Sequence, residues 1–228
     1  MAVSPPVLTV RRNFTRPDAQ TLAHFAKAST GWTVDANGRR GALDFRIHPI
    51  TAATRFSGTA LTVRTRARDN LAPYAALAYA RPGDVLVIAT DGYAEASVAG
   101  DVLLGMAKNA GIVALVTDGL VRDIAGLDAV GIPVFALGLT PNSPHKDGPG
   151  DIGLPITIGG VIVNPGDIVV GDADGVVVVA RTAAPQVAAA LVEVGDKEAK
   201  MDAWVRDGVK VPPWMEATLA EKGVQFLD

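Results

Sequence analysis

The sequence predicts an α/β fold in which layers of sheet and helix enclose one hydrophobic core. The first observation is a set of three short, continuously apolar runs separated by helical segments, at residues 85–89, 112–116 and 133–137. Strands this apolar are usually covered on both faces, as in α/β layers. The second is the composition of the 228-residue chain, which is 49% hydrophobic and 20% charged. Such a chain is long enough and apolar enough to bury a core.

The N-terminal part predicts one helix, irregular chain and then a strand. Residues 15–18 (Thr-Arg-Pro-Asp) form a helix-start pattern, and apolar residues continue through Leu22 and Phe25. Residues 29–53 contain three glycines and no clear period, which predicts mostly loop. From Gly58 onward, branched residues alternate over residues 59–63, as expected for a β-strand.

The rest of the chain predicts helices between the apolar runs, then strands, then helices again. The expected helices cover residues 70–80, 98–110, 121–130, 185–206 and 213–222. Short β-like runs with Gly and Asp turns between them cover residues 156–158, 161–163, 168–170 and 176–179. No linker or change in composition divides the chain, so we expect a single domain over residues 1–228.

Composition and charge exclude several classes of function. The formal net charge is −3, whereas bulk nucleic-acid binding requires a clustered basic surface. There is no cysteine, which excludes disulfides and thiolate sites, and three histidines argue against a multi-histidine zinc site. The apolar runs are too short for a membrane helix, and residues 1–13 lack a signal-peptide core. We expect a cytoplasmic protein with neither a membrane nor a nucleic-acid partner.

The strongest chemical signal is the pair of segments that contain Gly100–Asp101 and Arg122–Asp123. Asp101 lies near the start of a predicted helix, and Arg122 and Asp123 follow a predicted strand through a Gly turn. Ligands collect at the carboxyl ends of strands in α/β sheets, so both segments are expected to face one crevice. An Arg can bind a carboxylate at two points, and an Asp can hold a hard cation. Alternatively, Asp101 caps a helix and Arg122–Asp123 is a surface pair.

A second signal is Glu198 on the C-terminal helix. Apolar residues form one face of this helix, at positions Leu191, Val194, Met201 and Val205, and Glu198 lies in the middle of that face. A carboxylate inside an apolar face must be paired, lie near a metal or reach an exposed edge. The sequence therefore leaves two alternatives, a carboxylate at the edge of the face and one delivered to a polar pocket of a neighbouring subunit.

Two further polar segments are weaker candidates. The loop over residues 144–150 carries His145 and Lys146 between prolines and glycines, and it could contact substrate or be solvated. Residues 172–175 (Asp-Ala-Asp-Gly) lack the later ligands of a calcium loop, which predicts a hairpin turn. No phosphate-binding glycine motif is present.

Taken together, four segments resemble the RraA-like family. They are residues 100–104 (Gly-Asp-Val-Leu-Leu), 118–123 (Asp-Gly-Leu-Val-Arg-Asp), 159–167 and 172–178. This family contains the class II 4-hydroxy-4-methyl-2-oxoglutarate and 4-carboxy-4-hydroxy-2-oxoadipate aldolases and the regulator of ribonuclease E activity. The resemblance covers residues 55–182 as a core, with a variable segment over 1–54 and C-terminal helices over 183–228.

The resemblance implies a layered β/β/α fold of the swivelling-domain type, with a compact β core flanked by helices. It also implies homotrimers or homohexamers whose active site lies at a subunit interface. By the same resemblance Asp123 holds Mg²⁺ or Mn²⁺ and Arg122 binds the substrate carboxylate. Gly100, Val102 and Leu103 bind the pyruvoyl unit at a helix start. Asp101 orients a water for proton transfer, and Glu198 acts from the adjacent subunit.

The function implied is cleavage of a 4-hydroxy-2-oxo acid to pyruvate, with oxaloacetate decarboxylation as a side activity. The two reactions share a pyruvate enolate, which a divalent cation and an arginine stabilise. One alternative is a non-catalytic protein that binds and regulates an RNA-degrading enzyme; the extended C-terminal helix with Glu198 favours the aldolase. Another is an enzyme of this kind that acts on a different 2-oxo or hydroxy acid.

Overall fold

The computed structural model describes residues 6–227. Residues 1–5 and Asp228 of the predicted single domain lie outside the described residues. Residues 1–5 are also part of the segment, residues 1–13, that was expected to lack a signal-peptide core. The first seven strands are β1 (Leu8–Val10), β2 (His48–Pro49), β3 (Phe56–Thr65), β4 (Asp84–Ala89), β5 (Ser97–Ala99), β6 (Ala114–Thr117) and β7 (Leu120–Val121). The next seven are β8 (Val134–Ala136), β9 (Gly138–Leu139), β10 (Gly150–Ile152), β11 (Ile156–Ile158), β12 (Val161–Val163), β13 (Ile168–Asp172) and β14 (Gly175–Val179). The helices are α1 (Ala19–Lys27), α2 (Thr30–Ala36), α3 (Leu71–Ala76), α4 (Asp101–Asn109), α5 (Ile124–Val130), α6 (Ala184–Arg206) and α7 (Met215–Lys222).

Four parallel strands, β3, β4, β6 and β8, form the centre of the main sheet. Val63 of β3 pairs with Ile88 of β4, which in turn pairs with Thr117 of β6. Parallel neighbours need crossover connections, and α3, α4 and α5 provide them. On its outer edge β3 pairs antiparallel with β13 along its first half and with β10 near its end.

Both faces of the central strands are buried, as the apolar runs predict. Alternate residues such as Leu61, Leu86 and Leu115 belong to a core cluster that also includes Leu103 of α4 and Leu127 of α5. Their neighbours in sequence face the opposite side, in a cluster with β11, β13 and β14. A third cluster joins α1 and the start of α6 to β13 and β14. The protein is therefore a mixed α/β structure with a central sheet flanked by helices.

A second, smaller parallel sheet determines where the site lies. It has the order β5-β7-β9, and each of its strands follows a strand of the main sheet along the chain. β5 and β7 then lead directly into α4 and α5. The loops that follow β5 and β7 are thus brought side by side, together with the N-terminal ends of two helices.

The chain divides into two compact units, the first ending at Leu191 and the second beginning at Val192. The boundary falls within α6. In the second unit Met201 and Val205 are exposed, and α7 has no buried residue. Within residues 6–227, none of the helices is both long enough and apolar enough to cross a membrane.

Three segments contain elements or bounds that the sequence did not predict. Residues 29–53 are mostly loop, as expected, but they also contain α2, which Ser29 caps by accepting a hydrogen bond from the Trp32 N–H at 3.2 Å, and β2. The helix predicted from residue 98 begins at Asp101, since residues 97–99 pair as β5. The helix predicted from residue 121 begins at Ile124, because residues 120–121 form β7. A short apolar stretch next to a helix is compatible with both the helical and the strand pattern of apolar residues. Pairing with a neighbouring strand therefore decides its structure.

Candidate active site

The two segments that carry the predicted site lie side by side at the end of the smaller sheet. Gly100 follows β5 and occupies the N-cap of α4, and Arg122 and Asp123 follow β7. The backbone N–H of Arg122 donates to the Ala99 carbonyl at 3.1 Å, which ties the two segments together. The predicted convergence of Asp101, Arg122 and Asp123 is therefore observed.

Two glycines make room for the carboxylates of this site. A Cβ atom on Gly100 would lie 2.5 Å from Oδ2 of Asp123, and a Cβ on Gly126 of α5 would lie 2.4 Å from Oδ2 of Asp101. Real Cβ atoms do not come this close to an oxygen. Each carboxylate is therefore placed against a backbone position that has no side chain.

Asp123 and Arg122 form an exposed ion pair with a defined geometry. Nε of Arg122 donates to Oδ2 of Asp123 at 3.1 Å, and Nη1 donates to Oγ of Ser143 at 2.6 Å. These bonds use two of the five guanidinium N–H donors and leave the others for a ligand. Asp123 has φ 63° and ψ 46°, a left-handed conformation that is costly for a residue other than glycine and often marks functional sites.

Asp101 occupies the first turn of α4. Its Oδ1 accepts a hydrogen bond from the Val102 N–H at 2.7 Å. The N–H of Leu103, also in the first turn, has no partner within the helix, and the positive end of the helix dipole at this terminus favours an anion. Of the two amides expected to bind a pyruvoyl group, Leu103 is thus the available one, and Val102 is engaged by Asp101.

These side chains line one pocket of about 100 Å³. The predicted residues Gly100, Asp101, Val102, Leu103, Arg122 and Asp123 all contribute to its wall. Further wall residues include Asn70, Tyr74, Ser143 and Lys146. Two carboxylates, two cations and a helix N-terminus therefore surround a volume suited to a small carboxylic acid.

Asp118 belongs to the same motif as Arg122 and Asp123, residues 118–123, but its carboxylate binds the loop between β4 and β5. Its carboxylate accepts hydrogen bonds from the N–H groups of Thr90, at 2.6 Å, and Gly92, at 3.1 Å. Burial raises the pKa of Asp118 above its usual value, and these hydrogen bonds partly offset the effect. Asp118 fixes the loop between β4 and β5.

The donor set fits a hard divalent cation held largely through water. Across residues 6–227, the structure brings no three acidic or histidine side chains together as a complete ligand set. Asp101 and Asp123 nevertheless face the same pocket, and their donors are carboxylate oxygens. Mg²⁺ is commonly held by one or two carboxylates while keeping several waters. Asp123, which has a 41% exposed side chain, could hold such an ion.

The sequence model of a family described as RraA-like, Aldolase/RraA, matches residues 25–178. The chain belongs to the RraA-like family. The match begins within α1 and thus includes residues 29–53, which lie outside the resemblance noted from the motifs. The expected layered RraA-like fold is confirmed.

Individual relatives extend this assignment. A Halalkalibacterium halodurans protein named "Putative 4-hydroxy-4-methyl-2-oxoglutarate aldolase" is 44% identical over 135 residues. The match covers 59% of this RraA-like chain and 64% of that protein, less than two thirds of its length. An uncharacterized protein from Pseudomonas syringae pv. tomato superposes with a TM-score of 0.76 at 26% identity, over 86% of this chain and 96% of its own. Streptomyces coelicolor RraAS2, described as an unusual member of the RNase ES inhibitor RraA family, gives a TM-score of 0.71 at 27% identity, over 82% and 99%.

Glu198, the remaining predicted site residue, lies in the second unit of the RraA-like chain, where it is half-buried. On the same helix face Leu191 is buried, whereas Val205 is 75% exposed. The face is thus covered at its start and exposed near its end, and the role of Glu198 stays a prediction.

Several wall residues were not predicted as part of the site, among them Asn70, Tyr74 and Ser143, whereas Lys146 was considered only as a possible substrate contact. Asn70 precedes α3, Tyr74 lies within it, and Ser143 and Lys146 belong to the chain after β9. Of the loop pair His145 and Lys146, Lys146 lines the pocket. The polar composition of residues 144–150 was the available signal, but the sequence did not show where this loop returns to the sheet.

Proposed function

We propose that this protein is a divalent-metal-dependent class II aldolase that cleaves 4-hydroxy-2-oxo acids, such as 4-hydroxy-4-methyl-2-oxoglutarate, to pyruvate. Decarboxylation of oxaloacetate is a side activity, since it forms the same enolate. The observation that carries the proposal is the pocket in which Arg122, Asp123, Asp101 and the start of α4 converge. The identity to the Halalkalibacterium halodurans protein named as an aldolase supports the same reaction class.

The side chains of the pocket match the charges that develop during the reaction. The proton of the 4-hydroxyl leaves, the C3–C4 bond breaks, and its electron pair passes into the pyruvate enolate while C4 becomes a carbonyl. The free donors of Arg122 and the Leu103 N–H bind the carboxylate beside this enolate. Asp123 would hold a divalent cation, Mg²⁺ or Mn²⁺, which would further stabilise the negative charge of the enolate.

Proton transfer is assigned to Asp101. Its carboxylate lies in the pocket, with Oδ1 fixed by the Val102 N–H and the rest of the group against Gly126. A carboxylate held in this way can orient a water that removes the hydroxyl proton and later returns a proton to C3. A Schiff-base route would need a desolvated lysine, and Lys146, the lysine of the pocket wall, is exposed.

The assembly belongs to the proposal as well. A homotrimer or homohexamer would bring Glu198 of one subunit toward the Asp123 region of another. The exposed Met201 and Val205 on the Glu198 face support this arrangement, because an apolar helix face is stabilised by contact with protein.

A non-catalytic regulator is the second candidate, and the likeness to RraAS2 favours it. Such a protein would bind an RNA-degrading enzyme and would not need the Asp123 carboxylate that lies against Gly100. The two functions are separated by an assay for pyruvate release coupled to lactate dehydrogenase, run with Mg²⁺ over a panel of 4-hydroxy-2-oxo acids. The aldolase proposal expects saturable release from at least one of them, and no release from any would favour the regulator.

Substitution of either site glycine should reduce activity without unfolding the protein. Gly100→Ala places a Cβ against Asp123, and Gly126→Ala places one against Asp101. Moving a reacting group by about 1 Å can cost about 100-fold in rate, so we expect a loss of about that size in kcat/KM for each variant.

Gly105→Ala is the matched control because Gly105 lies on the same helix as Asp101. A Cβ there would meet only Cγ2 of Val130, at 3.9 Å. This variant should keep full activity and gain slightly in stability, since alanine is favoured over glycine in helices by about 1 kcal/mol. Equal activity in all three variants would show that the two carboxylates do not take part in the reaction.

Mixed subunits test the proposed role of Glu198. Glu198→Gln and Asp123→Asn should each be inactive or nearly so, while both still assemble. After subunit exchange, a mixture should regain partial activity, because some interfaces combine an intact Asp123 with an intact Glu198. Absence of rescue after verified exchange would mean that both residues serve the same subunit or that Glu198 has no catalytic part.

A further inference from the structure

The loop over residues 144–150 is fixed against the site by a buried aspartate. Asp69 is only 2% exposed. Its Oδ2 accepts hydrogen bonds from the N–H groups of Asp147, at 2.6 Å, and Gly148, at 3.0 Å. Its Oδ1 accepts one from the Leu71 N–H at 2.9 Å, at the start of α3. The carboxylate therefore joins this loop to the helix that forms another part of the pocket wall.

Backbone hydrogen bonds hold the same loop on either side of Asp69. The Asn70 N–H donates to the His145 carbonyl at 3.0 Å, and the His145 N–H donates to the Arg68 carbonyl at 2.7 Å. Since residues 145, 147 and 148 are all held, Lys146 has a fixed backbone position.

The ammonium of Lys146 is directed toward the pocket and has no acidic partner. Lys146 lines the pocket wall, with Nζ 5.6 Å from the centre of the Tyr74 ring. No carboxylate among residues 6–227 forms a salt bridge with it, whereas Arg122 in the same pocket is paired with Asp123. The pocket therefore contains a second cation that the proposed chemistry at the pyruvoyl end does not use.

We propose that Lys146 is a specificity residue that binds a second carboxylate of the substrate, and that Asp69 positions it. This inference rests on the proposed function and assigns the two cations to the two ends of a dicarboxylic substrate. Arg122 binds the carboxylate beside the reacting ketone, and Lys146 binds one on the far side of C4. The aromatic ring of Tyr74 supports the ammonium without neutralising it.

Kinetics with two matched substrates test the role of Lys146. 4-Hydroxy-4-methyl-2-oxoglutarate and 4-hydroxy-4-methyl-2-oxopentanoate differ only in a carboxylate that is replaced by a methyl group. Lys146→Met should lower kcat/KM for the first by about 10- to 100-fold, the value of a charge-assisted hydrogen bond, and change the second less than about twofold. Lys146→Arg should keep most of the preference, and Lys27→Met, on α1, should match the wild type. An equal loss on both substrates would overturn the inference.

Binding separates failure of this inference from failure of the proposed function. Calorimetric titration with 2-oxoglutarate and 2-oxopentanoate in the presence of Mg²⁺ compares a second carboxylate with a methyl group and requires no turnover. The wild type should prefer 2-oxoglutarate by about tenfold or more, and Lys146→Met should remove the preference. If the protein releases pyruvate but does not prefer 2-oxoglutarate, the role of Lys146 is overturned and the aldolase function is not. If it prefers 2-oxoglutarate but releases pyruvate from no substrate, the aldolase function is overturned and the role of Lys146 is not.

Asp69→Asn provides a readout that general destabilisation would not produce. It keeps one acceptor oxygen but loses the charge that holds the Asp147 and Gly148 amides. We expect faster hydrogen exchange at these two amides and a reduced preference for the dicarboxylic substrate, with turnover of the monocarboxylic one maintained. Unchanged exchange and an unchanged preference would exclude Asp69 as a positioning residue.

Discussion

Replacing Asp123 by asparagine is expected to remove metal-dependent turnover, and chelation of the wild-type protein with EDTA should do the same. Asn has nearly the same shape as Asp but supplies a weaker, neutral ligand. Lewis-acid stabilisation of an enolate is worth several kcal/mol, so kcat should fall by about 1,000-fold or more. Initial rates of pyruvate release at saturating substrate would measure this loss.

Controls separate loss of metal from loss of structure. Mg²⁺ or Mn²⁺ added in excess should restore the EDTA-treated wild type but not Asp123→Asn. Asp151→Asn is the control, because Asp151 is an acidic residue of β10 that pairs with Arg64 of β3. This variant should leave the metal requirement unchanged. Full activity in EDTA, or trapping of a lysine adduct by borohydride, would contradict a class II mechanism.

Replacing Arg122 by lysine should reduce kcat/KM although the charge is kept. Arg122 holds Asp123 through Nε and Ser143 through Nη1, which orients its remaining donors toward the pocket. Lysine offers one compact ammonium and cannot make these contacts together with a two-point grip on a carboxylate. Loss of one charge-assisted hydrogen bond costs about 1.5–3 kcal/mol, which corresponds to about 10- to 100-fold in kcat/KM.

Arg64→Lys is the matched control for Arg122→Lys. Arg64 also pairs with an aspartate at the surface, through Nε at 3.0 Å and Nη2 at 2.6 Å to Asp151. An exposed pair of this kind contributes little to stability, so the control should retain wild-type kinetics and stability. If Arg122→Lys behaved like this control, Arg122 would not be a substrate-binding residue.

The central sheet could be predicted from sequence because its strands are buried on both faces. Continuous apolar runs marked β4, β6 and β8, and β11 and β12 have the expected bounds. Helix α2 was missed because its seven residues include Gly31 and its stability comes from the Ser29 cap and from packing on β13 and β14. The two-residue strands of the smaller sheet are defined only by their partners, which no local pattern specifies.

The site residues also divide into those that a local sequence pattern predicts and those whose positions depend on distant contacts. Asp101, Arg122 and Asp123 could be predicted because Asp101 lies at the start of an expected helix and Arg122 and Asp123 follow the apolar run at residues 112–116, so the order of elements along the chain places them at neighbouring strand ends. Lys146 and Asn70 belong to segments whose positions depend on the contacts of Asp69 with a loop about 80 residues later in the sequence. Glu198 was noticed for its place in an apolar face, and its partner in the proposal belongs to another subunit.

Exchange of the methyl protons of pyruvate is the most direct test of the central claim that this pocket stabilises a pyruvate enolate. Proton NMR in D₂O with pyruvate, Mg²⁺ and the protein measures it without any assumption about the second half of the substrate. The wild type should replace the methyl protons by deuterium far faster than buffer does, and both Asp123→Asn and Arg122→Lys should slow the exchange. An exchange rate equal to that of buffer, or one unaffected by EDTA and by both substitutions, would contradict the claim.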